Sequence, residues 1–105
     1  MFKNMIYNKL VRDKIPEIIK QDNHHPKIHI ASNEEYWQKL KEKLTEEVIE
    51  FIKESNEEEF VDILEVLHAI SDFKQFNKRY VNQIKAEKTE KRGRFIDKII
   101  LETVE

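Results

Sequence analysis

The residues best suited to chemistry in this chain are five carboxylates in two short runs. Glu46, Glu47 and Glu50 spell Glu-Glu-x-x-Glu, and Glu59 and Asp62 spell Glu-x-x-Asp. Residues three apart share a helix face, so each run presents a pair. At about 100° per residue, Glu47 and Glu50 fall at one edge of an apolar arc centred near Leu44, while Glu46 points away. In the following run Glu59 falls inside the apolar arc beside Ile63 and Ile70, and Asp62 lies at its edge. Carboxylates lining a helix–helix seam lose hydration and repel one another. A divalent cation relieves both penalties. Mg²⁺, with Mn²⁺ as a substitute, prefers such oxygen donors and keeps positions open for phosphate oxygens.

Each run also has a plainer explanation. Glu-x-x-Glu is commonplace on the solvated face of a Glu-rich helix. Glu59 is placed to be the N3 partner of an Asn56 cap, and Asp62 is placed to favour the positive end of a helix dipole. It is the set of four, on neighbouring helices and turned toward their seam, that points to a site.

The elements that must position these groups are helices. Ser32-x-x-Glu35 is a capping box, and a long helix follows it to about Glu54. Its apolar residues Trp37, Leu40, Leu44, Val48 and Phe51 recur at helical spacing. Ser55 and Asn56 break the run, and Ser55–Glu58 and Asn56–Glu59 are alternative caps for the next helix. Phe60, Ile63, Leu64, Leu67 and Ile70 form its stripe. So short a link predicts an antiparallel αα-hairpin.

The flanks are less regular. Pro16 fits the first turn of a short helix from about Ile15 to Lys20, and 22–26 is a turn cluster. Ile28, His29 and Ile30 alternate as a brief extended piece would. Between Ser71 and Asn77 the reading stays open: Asp72 and Asn77 are able to end one helix and cap another. Tyr80, Val81 and Ile84 carry a weaker stripe toward Lys91, and Gly93 reads as a helix stop. Phe95 to Leu101 is an apolar segment, either a short strand or a helical turn.

Composition sets the outer bounds. The chain has 105 residues, which suits one domain spanning 1–105. A net charge of −2 with 38% charged residues means interleaved signs, the pattern of solvated helix faces. No basic excess favours a nucleic-acid duplex. There is one Gly and no Cys, which favours helix and excludes disulfides, zinc–thiolate sites and a cysteine nucleophile. No apolar run reaches the ~20 residues of a membrane span. Met1 to Leu10 lacks the features of a signal peptide, so a cytoplasmic location is expected. The fold expected is all-α, four-helix-bundle-like, built on the hairpin and completed by association into a homodimer or larger assembly.

The tandem acidic runs resemble the metal-binding signature of the MazG-like all-α nucleoside triphosphate pyrophosphohydrolases. That superfamily includes phosphoribosyl-ATP pyrophosphohydrolases and helical dUTPases. Tyr7-Asn8-Lys9-Leu10-Val11-Arg12-Asp13-Lys14-Ile15-Pro16 resembles the opening of a subgroup of small house-cleaning members. Asp62-Ile63-Leu64-Glu65-Val66 and Arg92-Gly93-Arg94-Phe95 resemble later blocks of the same subgroup, so the likeness spans most of the chain. It implies that Glu47, Glu50, Glu59 and Asp62 are metal ligands and catalytic groups, with Glu46 as the leading, supporting acid. It implies Mg²⁺-dependent hydrolysis of a nucleoside triphosphate, or a related phosphoanhydride, to a monophosphate and pyrophosphate. Lys9, Arg12 and Lys14 are then the first candidates for meeting phosphate, followed by Lys43, Arg92 and Arg94. Only residues 51–58 separate Glu50 from Glu59, a shorter connection than the family's, so the hairpin must be tight for the pairs to lie level. The competing expectation is a non-catalytic helical interaction module that keeps the fold without the activity.

Outside these runs the sequence carries little chemistry. His24 and His25 are adjacent without ligand spacing, and His68 falls on an outer face. Trp37 sits at a core position, where packing suits it better than stacking on a base. No phosphate-cradling glycine loop and no glycine-flanked nucleophile are present.

Overall fold

The computed structural model describes residues 7–105, so the part of the Met1–Leu10 reading that falls on residues 1–6 lies outside it. Four helices, and no strand, occur among the described residues. They are α1 (Ile15–Gln21), α2 (Asn33–Glu54), α3 (Glu57–Phe73) and α4 (Lys78–Arg92). The chain divides into two compact units, one ending at Lys74 and the other spanning Gln75–Glu105.

The first unit is organised by α2 and α3. The Ser32 side chain accepts a hydrogen bond from Glu35 N, which supplies one of the backbone partners a helix start lacks. The Glu35 carboxylate is engaged by His29 Nε2 at 2.9 Å. At the far end Ser55 adopts the left-handed conformation (φ 52, ψ 43) and its N–H donates to Phe51 O. Asn56 then caps α3 by accepting from Glu59 N at 2.9 Å. Of the two alternative caps in the sequence, the Asn56–Glu59 one forms.

Phe51 and Phe60 meet beside this link, with ring centroids 6.0 Å apart. At the other end of the pair Phe73 lies 5.2 Å from Tyr36 and 6.1 Å from Trp37. The start of one helix therefore meets the end of the other, and α2 and α3 run antiparallel. Such ring pairs add about 0.5–1.5 kcal/mol each beyond their burial. Lys74 Nζ sits 4.0 Å over the Trp37 ring and closes the end of the stack. Leu40 is fully buried and Val66 nearly so. Leu64, Leu67 and Phe60 of α3 remain about half exposed, as do Ile49 and Ile52 of α2 to a greater degree.

Before the hairpin, α1 follows Lys14, which offers no side-chain cap, and carries Pro16 in its first turn. It runs one residue beyond the expected Lys20. Residues 28–30 form no strand. Ile28 and Ile30 are exposed, and no neighbouring strand pairs with their backbone among the described residues.

In the second unit Asn77 caps α4 by accepting from Tyr80 N at 2.9 Å, which settles the open stretch 71–77. The helix stops at Gly93, whose φ of 78 suits a residue without a side chain. Beyond it the apolar segment 95–101 forms no strand or helix, only a turn at Ile96 and Asp97. Phe95, Ile96, Ile99, Ile100 and Leu101 are all exposed.

Candidate metal centre

Three of the four expected ligands converge. One carboxylate oxygen each from Glu47, Glu59 and Asp62 lies within 4.8 Å of the other two. Glu47 comes from the C-terminal half of α2, while Glu59 and Asp62 come from the first two turns of α3. The tight link at Ser55 and Asn56 brings these turns level. All three residues are half-buried.

The grouping is electrostatically uneasy. Partial burial raises the Glu59 carboxyl above its ordinary value of 4.5, and the charges of Asp62, Glu47, Glu50 and Glu54 push it the same way. Glu50 is not among the converging oxygens and reaches Glu59 through its charge. Glu54 was not singled out in the sequence. Its spacing would have marked it, because positions 47, 50 and 54 follow the i, i+3, i+7 rule of a single helix face.

Basic groups surround the acids. Arg12 Nη2 lies 2.8 Å from Asp62 Oδ1. Lys43 Nζ lies 3.3 Å from Glu47 Oε1 and 2.9 Å from Glu46 Oε2. Lys9 Nζ reaches the other oxygen of Glu46 at 2.8 Å. That hydrogen bond, aided by the Glu46 and Glu47 charges, raises the Lys9 ammonium. Partial burial lifts Glu46, but the hydrogen bonds and charges of Lys9 and Lys43 outweigh it, and its net shift is downward. Glu46 is thus a salt-bridged support beside the converging group. A shallow pocket between the N-terminal segment and α2 is lined by Lys9, Leu10, Lys39, Glu42, Lys43 and Glu46.

The remaining basic candidates are placed as follows. Lys14 is exposed at the start of α1. Arg92 ends α4 and Arg94 follows Gly93, both exposed in the second unit.

The donor set suits a hard divalent ion. It offers three carboxylate oxygens and no nitrogen or sulfur, and it leaves further coordination positions to water or phosphate. Partial burial does most to raise Glu59 and the neighbouring carboxylate charges add to it, and a cation would relieve that added repulsion.

No family model matches the chain, and no solved structure matches it. A stretch of 42 residues, 40% of this chain, is 50% identical to an uncharacterized protein of Mycolicibacterium smegmatis. The match spans 43% of that protein's length.

Proposed function

We propose that this protein is a Mg²⁺-dependent nucleotide pyrophosphohydrolase of the MazG-like all-α kind. The observation that carries the reading is the convergence of Glu47, Glu59 and Asp62 from two helices onto one point. These three residues would hold the ion, with Glu50 and Glu54 adding negative potential around them. When bound, Mg²⁺ supplies Lewis-acid polarisation of phosphate and a lowered pKa for water.

The chain's own side chains account for the rest. Lys9, Lys39 and Lys43 line the neighbouring pocket beside Glu42 and Glu46, so three ammonium groups face two carboxylates there, an excess of positive charge for a polyphosphate. Arg12 adds a planar donor fork suited to phosphate oxygens. A carboxylate of the group orients the attacking water and accepts its proton. Hydrolysis at the α–β linkage then yields a monophosphate and pyrophosphate. The substrate is a nucleoside triphosphate or a related phosphoanhydride, and the protein acts in the cytoplasm.

A homodimer, or a larger assembly, completes a four-helix core in this reading. The support is the half-exposed row Phe60, Leu64 and Leu67 on α3, which recurs at i, i+4 and i+7.

A nucleotide panel with Mg²⁺, assayed separately for pyrophosphate and orthophosphate, tests the activity. Pyrophosphate with an equal amount of monophosphate is expected, and orthophosphate alone would overturn the reading. Melting with and without Mg²⁺ or Mn²⁺ separates the enzyme from a helical interaction module. The enzyme's melting temperature rises with metal, because a ligand of the folded state stabilises it.

A further inference from the structure

Three contacts hold the segment 8–12 against α2 and α3. Lys39 Nζ donates to Asn8 O at 2.7 Å, Lys9 Nζ meets Glu46 at 2.8 Å, and Arg12 Nη2 meets Asp62 at 2.8 Å. Only the Arg12 contact falls on a carboxylate of the converging group. It is also a weak one. Arg12 and Asp62 are 54% and 38% exposed, and a single solvent-screened pair of this kind contributes little.

The geometry points to a cation exchange: Arg12 is the counter-ion of Asp62 that a divalent cation displaces, and the freed guanidinium then binds the anionic substrate. This rests on the metal-centre reading above. A divalent ion brings twice the charge to the same carboxylate, and the Arg12 charge opposes its arrival. Once Arg12 leaves Asp62, its segment stays in place, because Asn8 and Lys9 are anchored on Lys39 and Glu46, outside the converging group. The guanidinium therefore remains at the rim of the site with its N–H fork unpaired, ready for bidentate contact with phosphate. Metal then favours anion, and by reciprocity anion favours metal.

The test is a calorimetric Mn²⁺ titration, without phosphate, of the wild type, Arg12→Gln and Arg12→Lys, followed by inorganic phosphate on each Mn²⁺-loaded protein. Arg12→Gln is expected to bind Mn²⁺ roughly two- to fivefold more tightly, the affinity equivalent of an exposed ion pair. Arg12→Lys stays near the wild type. Phosphate binding to the loaded Arg12→Gln protein weakens. A merely structural Arg12 gives the opposite sign, since loosening the segment would not improve the metal site. Unchanged or weaker Mn²⁺ binding by Arg12→Gln, with wild-type binding intact, overturns the exchange and leaves the metal centre standing. Unchanged phosphate affinity overturns the second role of the guanidinium. Failure of all three proteins to bind Mn²⁺ overturns both readings.

Discussion

Glu59 occupies the position where structural and chemical demands meet. Its backbone N–H completes the Asn56 cap, while its carboxylate joins Glu47 and Asp62. Of Glu59 the cap uses only the backbone N–H, which donates to Asn56 Oδ1, so Glu59→Gln retains it. Metal affinity and turnover are expected to fall sharply, because a neutral amide replaces a charged oxygen at a hard cation. Calorimetry with Mn²⁺ and a pyrophosphate assay would check this, and unchanged values for both would remove Glu59 from the site.

The same residue predicts a pH dependence before metal is added. Its folded pKa is raised above the ordinary 4.5, so the folded state binds more protons than the unfolded chain in the window just above that value. Its contribution to stability is therefore lost as pH rises through that window. Across that window the wild type should lose stability relative to Glu59→Gln, compared by urea midpoints at successive pH values in the presence of a chelator. Sequence periodicity alone turned Glu47, Glu59 and Asp62 toward the seam, and the structure brings those three together. It could not separate Glu47 from Glu50. Which turn of α2 faces the start of α3 depends on how the two helices cross and slide, and packing sets that.

At the scale of elements, the caps were the most legible feature. Ser32, Asn56 and Asn77 each accept from the backbone N–H three residues on. Polar side chains at a helix start act locally, so three or four residues of sequence suffice to see them. Ile28–Ile30 form no strand for the converse reason: alternation gives a strand only when another strand is there to pair with it. Segment 95–101 presents the same difficulty, because its apolar residues are exposed and no strand pairs with it among the described residues.

Asn56→Ala is expected to cost ~0.5–2 kcal/mol of stability, read from denaturant midpoints. It should also weaken metal binding, since it loosens the turn that carries Glu59. Asn56→Asp keeps an acceptor for the Glu59 N–H and should restore most of the lost stability.

For the molecule as a whole, the first unit has a slender core. Leu40 is its only fully buried large side chain among the described residues. Leu40→Ala should destabilise the protein by roughly 2–5 kcal/mol, measured by chemical denaturation. The half-exposed row on α3 has the opposite expectation in isolation. Leu64→Glu would do little harm to a monomer, whereas in a dimer that covers this row it would place a charge in an apolar interface. Light scattering should then show the wild type as a dimer or larger and the variant as a monomer. A monomeric wild type, at concentrations where the proposed activity is assayed, would remove the dimer from the reading. The all-helical class was evident from the scarcity of glycine and the run of caps. What covers α3 was not, because an apolar stripe has the same sequence whether a second copy or solvent lies against it.

The link between α2 and α3 bears on the order of events in folding. Only Ser55 and Asn56 lie between the helices, and Ser55 already turns the chain. Closing so short a loop takes little chain entropy, and contacts close in sequence tend to form quickly. The hairpin is thus expected to close early, and its closure gathers like charges at Glu47, Glu59 and Asp62. Repulsion that belongs to the finished site is then already felt in the transition state. A divalent cation should accordingly quicken refolding as well as slow unfolding, seen as a raised folding limb in stopped-flow traces with Mg²⁺. If the carboxylates met only after the barrier, the ion would change the unfolding limb alone.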